Sequence, residues 1–579
     1  MEPLLWVLQR AGGPYAAAEI ALAGAVLVAA FLRPGWGAGL AGWVEQRCAG
    51  LAHHPGRQII AVGLLAVLLR AAFLPWLGAP VPTIHDEQSL FLQGQTLAAA
   101  RLVNAIHPLW EHFETLYVNH VPAYASMYFP GRGAPLALGI ALADNAWVGV
   151  WICFVLMAMA AVWMLQGWVP LPLALLGGVI VVLRLGVFSY WVNSYWGGAF
   201  SALGGILVVG ALPRLLKRPR WRDGALMGVG AVILMTSRPF EGLLLCAVAA
   251  VALLAGVVKA GGPTGRRILL QSALPVVVVV AMGGELMLAY NAATTGHPLK
   301  TPYDLNRQTY AVAPAFLTSA PIRSKEQGPP YFRDFFNVEA EAHTRAQSPG
   351  GLARNVAGKF FDTWNFYVGG TFTVAFLAGL WAARREGFLL SALGIFMLGY
   401  QLVTWNFPHY TSPIFPVLLI LVMRGFAFLP SFRPGGRPVG LFLTRAMPAS
   451  ALVLLALPAT LLILNLPTLQ NSANSHACCS LSDRNFRTEL LDKVRAVPGP
   501  HLVVVKDGPG NPLHFELIHN EPDIDKAPVV WARSLGTERD ARLLAHFKDR
   551  VVWEFEWLPD RDPGYRLDLV RAVGSTTAR

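Results

Sequence analysis

The chain has 579 residues, of which 54% are hydrophobic and only 14% charged. Its formal charge is +12 and its mean hydropathy is +0.47. Soluble domains carry about 25% charged residues, and soluble cores split into domains well below this length, so one soluble globule is excluded. The basic balance does not indicate nucleic acid, because Lys and Arg fall in short runs between apolar segments, as in cytoplasmic loops.

A polytopic membrane protein remains. The N-terminus lacks a basic stretch before its first apolar run, so no cleaved signal peptide is expected. Apolar runs predict spanning helices at 14–32, 59–78, 138–166, 171–189, 197–213, 224–236, 240–258, 268–290, 366–382, 388–405, 411–429 and 447–466. The third run is long enough for a short surface helix followed by a span. If the spans alternate, the basic loops at 214–223, 259–267, 382–387 and 431–445 all face one side, which should be the cytoplasm. The other side collects the polar segments: 79–134, "SYWVNSYWGG" at 189–198, "TSRPFEG" at 236–242, a long loop from Asn291, "NFPHY" at 406–410 and the tail. Loops this long usually do something.

Three regions result. Residues 1–58 hold an extra N-terminal span and a basic cytoplasmic loop. Residues 59–466 form the transmembrane domain, with outer loops at 79–134 and 291–363. Residues 467–579 have soluble composition and read as a small α/β domain outside the cytoplasm. There, "RTELLDKVRAV" and "ERDARLLAHFKDR" are helix-like, while "HLVVVKD", "PVVWARS" and "VVWEFEW" are strand-like. Cys48, Cys153 and Cys246 read as small hydrophobes. Cys478 and Cys479 stand at the start of the tail as thiols or a vicinal disulfide. No metal-type spacing occurs.

The first outer loop opens "TIHDEQSLFLQGQTLAAARL" from Thr83. It reads as a short amphipathic helix at the membrane surface, with Leu90, Phe91, Gly94, Leu97, Ala98 and Leu102 on one stripe. Thr83 with Asp86 fits a capping pattern. A carboxylate where the chain leaves the bilayer also suits general-base work on a hydroxyl, so Asp86 and Glu87 are the candidate catalytic pair, beside His85. Further on, "HPLWEHFETLYVNHVPAYASMYFPGRG" at 107–133 adds Glu111, His112, Glu114 and His120. A membrane-interface belt accounts for Trp110, Tyr117, Tyr124 and Tyr128, but not for the charged set. His297, Lys300 and Arg307 follow another span, Arg238 sits at a break before Pro239, and His409 closes "WNFPHY". Cations gathered on an outer membrane face suit a lipid phosphate. Arg70 and Arg184 lie deeper, either paired with carboxylates or snorkelling. Small residues in "SYWVNSYWGGAFSALGG" suit close helix packing.

The acidic pair in the first large outer loop, with "HDEQSLFLQGQTLAAARLVN", "HPLWEHFE" and "YFPGRGAPLALG", resembles the GT-C glycosyltransferases over roughly 80–310. The branch it looks like is the bacterial protein-mannosyltransferase-like one, which includes lipopolysaccharide-core galacturonosyltransferases. The resemblance implies a mostly α, polytopic membrane helical bundle of GT-C type, to which the chain's own pattern gives about twelve spans and a small C-terminal α/β domain. It also implies inverting transfer of a sugar from a polyprenyl-phosphate donor to an acceptor hydroxyl on a glycolipid, polysaccharide or protein outside the cytoplasm. Asp86 would be the catalytic carboxylate, with Glu87 beside it. Arg238, Lys300, Arg307 and His409 would hold the donor phosphate. His85, Glu111, His112, Glu114 and His297 are possible substrate contacts; no cofactor is firmly expected, and a divalent metal held by the His/Glu set is the less favoured alternative. The extra segment at 14–32 and the tail depart from the family pattern. Two other classes stay open, a secondary transporter and a non-catalytic envelope scaffold.

Overall fold

The computed structural model describes residues 14–322, 329–466, 486–506, 517–558 and 564–571, so Cys478 and Cys479 lie outside the described residues. It is mostly helical, and every predicted apolar run carries a helix. Among the described residues, eight helices are long and apolar enough to cross a membrane, from Tyr15–Leu32 to Val439–Ile463. Leu171–Leu185, Gly369–Ala382 and Gly387–Tyr400 are apolar but shorter. The third run breaks as expected. Helix Pro130–Ala143 ends at Asp144, in the left-handed region, and Ala146–Leu165 follows. The chain divides into two compact units.

The first unit comprises Met1–Pro80, Val150–Glu285 and Pro349–Leu481. Its helices cross closely where glycine removes the side chain. A Cβ on Gly425 would sit 1.7 Å from the Ala375 carbonyl oxygen, and one on Gly379 would sit 1.8 Å from that of Leu421. Gly204 and Gly205 likewise face the Gly230 and Pro413 carbonyls, as the small-residue pattern predicted. Gly425→Val should therefore force these helices apart, at about 1–3 kcal/mol or more. Size-exclusion profiles of the detergent-extracted variant check this; a wild-type profile and melting temperature would refute the close crossing.

Two buried arginines organise the same unit. Arg70 donates to the Gly78 carbonyl at 2.7 Å and to Asn193 Oδ1 at 3.0 Å. Arg184 pairs with Glu19 at 3.1 Å and donates to the carbonyls of Asn365 (2.7 Å) and Phe366 (3.0 Å). Glu19 also accepts from the Thr371 hydroxyl at 3.0 Å. The extra N-terminal helix Pro14–Leu32 is thereby tied to the junction between Pro349–Tyr367 and Gly369–Ala382. Tyr190 and Trp191 are fully buried, against Phe366 and, for Trp191, Tyr367 and Phe415.

The second unit comprises Val81–Gly149, Leu286–Ser348 and Ser482–Arg579. The second large loop is not irregular. It folds as helices Pro302–Tyr310 and Pro330–Gln347 and leads into Pro349–Tyr367, each with proline in its first turn. The tail is a four-stranded sheet in the order Val529–Arg533, His501–Lys506, Val551–Trp557, Tyr565–Arg571. The first three strands are parallel, and the last, which the sequence reading missed, is antiparallel. Strands buried on both faces read as continuous apolar runs, and "LVVV" is one. Val503, Val505, Trp531 and Phe555 pack on Leu490 and Val494 of helix Phe486–Arg495. Leu502, Val504, Val530 and Val552 share a core with Leu92, Phe113, Val118 and Tyr124 of the first outer loop. Tail and loop therefore bury one another.

Candidate active site

Helix His85–Ala98 carries the acidic pair at its start. The cap is one residue later than the sequence suggested. Glu87, not Asp86, reaches back, accepting from the Thr83 N–H (2.8 Å), the Thr83 hydroxyl (2.9 Å) and the Ile84 N–H (3.4 Å). A carboxylate at the third helical position can satisfy donors that the first turn leaves open. Glu87 is buried in that work, while Asp86 is half-buried. The helix does not rest on a surface by one apolar stripe. Leu90 is buried, and a Cβ on Gly94 would sit 2.6 Å from the Leu136 Cβ. Asp86, Ser89 and Gln93, on another face, all bind the segment 117–128. The Tyr128 hydroxyl donates to Asp86 Oδ1. Ser89 donates to the Tyr117 carbonyl at 2.7 Å, and Gln93 donates to the Tyr128 carbonyl at 2.8 Å.

The tyrosines of this segment are therefore internal and not a belt. Tyr128 and Tyr124 are buried, and Tyr124 donates to the Asn520 carbonyl at 3.0 Å. Trp110 stacks on His120, ring centroids 6.3 Å apart. Tyr117 sits near Glu339, whose carboxylate pairs with Arg307 at 2.9 Å. Burial pushes the Tyr117 hydroxyl well above its ordinary range, and Glu339 and Asp86 add to that. Burial also raises Glu339, with Arg307 and Tyr117 pulling it back.

The other predicted residues scatter in role. His85 is buried among Tyr117, Tyr331 and Phe335, with Nε2 3.2 Å from the Tyr331 hydroxyl. Glu111 pairs with Arg539 at 2.9 Å, on the exposed surface. His112 Nδ1 lies 2.7 Å from the Arg533 carbonyl and donates to it. Glu114 accepts from the Tyr310 hydroxyl at 2.8 Å. These three point to separate partners and share no ligand position. His297 and Lys300 occupy the turn after helix Gly262–Thr295, and Lys300 is half-exposed. Arg307 is buried in its pair with Glu339.

In the first unit, Arg238 is the one unwound residue between helices Trp221–Ser237 and Pro239–Ala260. Its guanidinium lies 3.8 Å from the centroid of the Tyr410 ring, close enough for a cation–π contact. His409 is buried with Tyr190, whose hydroxyl accepts from the His409 N–H at 3.0 Å and lies 3.2 Å from Nδ1. Lys359, which the sequence reading passed over, caps helix Gly387–Tyr400 by donating to the Tyr400 and Gln401 carbonyls at 3.1 and 3.3 Å.

His107, Asp525 and His546 bring three potential ligand atoms within 4.8 Å of one another. The His107 ring speaks against a metal there. Its Nδ1 accepts from the Leu109 N–H at 3.0 Å, so its proton sits on Nε2 and is donated to Asp525 Oδ1 at 3.1 Å. A metal needs that Nε2 lone pair. His546 reaches the same oxygen at 2.8 Å, and the group acts as a staple between loop and tail.

Burial holds several histidines of this unit neutral. His120 is pushed down to about 3, His519 falls well below its ordinary value, and His107 is lowered by burial against the pull of Asp525. An unfolded histidine titrates near 6.5. These groups therefore stabilise the fold fully above that pH. The contribution is lost as pH falls from about 6.5 towards the folded values, at up to about 1.4 kcal/mol per pH unit per histidine. Thermal unfolding at pH 7.5 and pH 5.0 should show a lower melting temperature in acid, and His120→Phe should shrink the gap. An unchanged gap would overturn the assignment of His120.

No family model and no curated protein sequence matches the chain. Among solved structures it is similar to the Archaeoglobus fulgidus oligosaccharyltransferase crystallised with Zn and sulfate, at 11% identity and TM-score 0.49, over 87% of this chain and 68% of that one. It is also similar to ArnT from Cupriavidus metallidurans in the apo state, at 11% identity and TM-score 0.49, over 86% and 92% of the two chains.

Proposed function

We propose that the protein is an inverting membrane glycosyltransferase. It moves a sugar from a polyprenyl-phosphate donor to an acceptor hydroxyl on the extracytoplasmic face, with Asp86 as general base. The observation that carries this is the division of labour in the acidic pair. Glu87 is spent on the helix start, while Asp86 is half-buried and held by one hydroxyl donor. A carboxylate left within reach of an alcohol can accept its proton. A phosphate leaves as an anion and needs no acid, so one base and cationic charge on the phosphate suffice.

Lys300, half-exposed in the same unit as Asp86, is the cation we assign to the donor phosphate. Arg307 serves as counter-ion to Glu339, and His409 as a buried partner of Tyr190. A transporter would place its working ionisable groups inside the spans. The pair found there, Glu19 with Arg184, is saturated by Asn365, Phe366 and Thr371. Mass spectrometry of envelope glycolipids and glycoproteins tests the reading in a strain lacking the gene, complemented with wild type or Asp86→Asn. One sugar should vanish, and only the wild type should restore it. Restoration by Asp86→Asn would remove the base, and an unchanged glycan profile would remove the activity.

A further inference from the structure

Resting on the reading of Asp86 as base, we infer that Tyr128 is its positioning residue. The Tyr128 hydroxyl holds one carboxylate oxygen, so that the other faces the acceptor. Asp86 stands in the first turn of helix His85–Ala98, where a free carboxylate rotates between several rotamers. The Tyr128 hydroxyl donates to Oδ1 and takes that oxygen out of competition. Oδ2 is then the oxygen that meets the incoming alcohol.

Tyr128 is itself held at every point a lever needs. Its carbonyl accepts from Gln93 Nε2 at 2.8 Å and from the Tyr290 hydroxyl at 3.2 Å. Gln93 lies two turns along the helix that carries Asp86, so base and tyrosine are fixed to one frame. The Tyr128 N–H donates to Ser126 Oγ at 3.1 Å, and Ser126 Oγ lies 2.8 Å from Ser89 Oγ on the same helix. The Tyr128 ring lies under the Arg132 guanidinium at 4.6 Å and meets Tyr117 edge-on at 6.2 Å. A tyrosine needed only for bulk would not require its hydroxyl on a carboxylate.

In the step itself, the acceptor O–H bond breaks and its proton goes to Oδ2 of Asp86. The acceptor oxygen bonds to the anomeric carbon. The bond from that carbon to the phosphate oxygen breaks, and the electron pair leaves with the polyprenyl phosphate. Asp86 then releases the proton to water, and Tyr128 keeps its own throughout.

The test needs no substrate. The full chain is labelled with carboxyl-13C aspartate and placed in lipid nanodiscs. The infrared difference between wild type and Asp86→Asn isolates the Asp86 carboxylate stretches, whose frequencies report hydrogen bonds to the two oxygens. Tyr128→Phe should move the antisymmetric stretch up. Replacing Tyr128 with a fluorinated tyrosine, a stronger donor of the same shape, should move it down. Opposite shifts cannot come from loss of packing. Bands equal to wild type in both variants would overturn the inference. If Tyr128→Phe does not fold, the fluorinated form decides alone. The glycan experiment above is separate: its failure removes the reaction but leaves the hydrogen bond, and the reverse holds for this spectrum.

Discussion

Asp86→Asn is expected to slow sugar transfer by about 100- to 10,000-fold, the usual worth of a placed general base. Asparagine keeps the shape and can still meet Tyr128, but it cannot take the acceptor proton. Glu87→Gln is the informative contrast. It weakens the acceptor for the Thr83 and Ile84 N–H groups and should cost about 1 kcal/mol of stability, as helix caps do. Turnover per folded molecule should stay near wild type. Time courses of acceptor modification in membranes, scaled to folded protein, separate the two effects. Equal losses of turnover in both variants would mean that the acids act together, and the division of labour would be wrong.

The second large effect lies in the membrane body. Glu19→Leu removes the only carboxylate recorded as paired with Arg184 among the described residues, and the arginine keeps just the Asn365 and Phe366 carbonyls. Breaking a buried ion pair by losing one partner typically costs about 3–5 kcal/mol, because a charge stays buried without its counter-charge. The double change Glu19→Leu with Arg184→Met should recover most of this, since replacing both partners by apolar groups is often neutral. Melting temperatures of the three variants in detergent give the answer. A double variant no more stable than the single would show that Arg184 matters for the carbonyls it holds and not for its charge.

The membrane body was legible in the sequence because a bilayer dictates composition over stretches near twenty residues. Each predicted run became a helix. The interior of the outer segments was not legible, and for a physical reason. Leu92, Val504 and Val530 share one core although they are far apart in sequence, and no local period announces such a partnership. Asp86 stood out as a candidate because an acid at a membrane boundary is costly without a task. Tyr128 could not, since an aromatic there has a cheap explanation as a belt residue, and only its hydroxyl contact separates the two. Arg307 misled in the opposite sense. From sequence it was a cation beside a span, and its partner Glu339 is 32 residues away in a helix that had been read as loop.

The shared core between loop and tail has a consequence for how the chain is made. The ribosome releases Leu92, Phe113, Val118 and Tyr124 roughly 400 residues before the strands that cover them, which at about 5–20 residues per second is a wait on the order of half a minute. During that interval the early spans are in the bilayer while a greasy patch stands open to water. A premature stop ahead of residue 486 makes the interval permanent, and the uncovered patch then stands as a target for proteases.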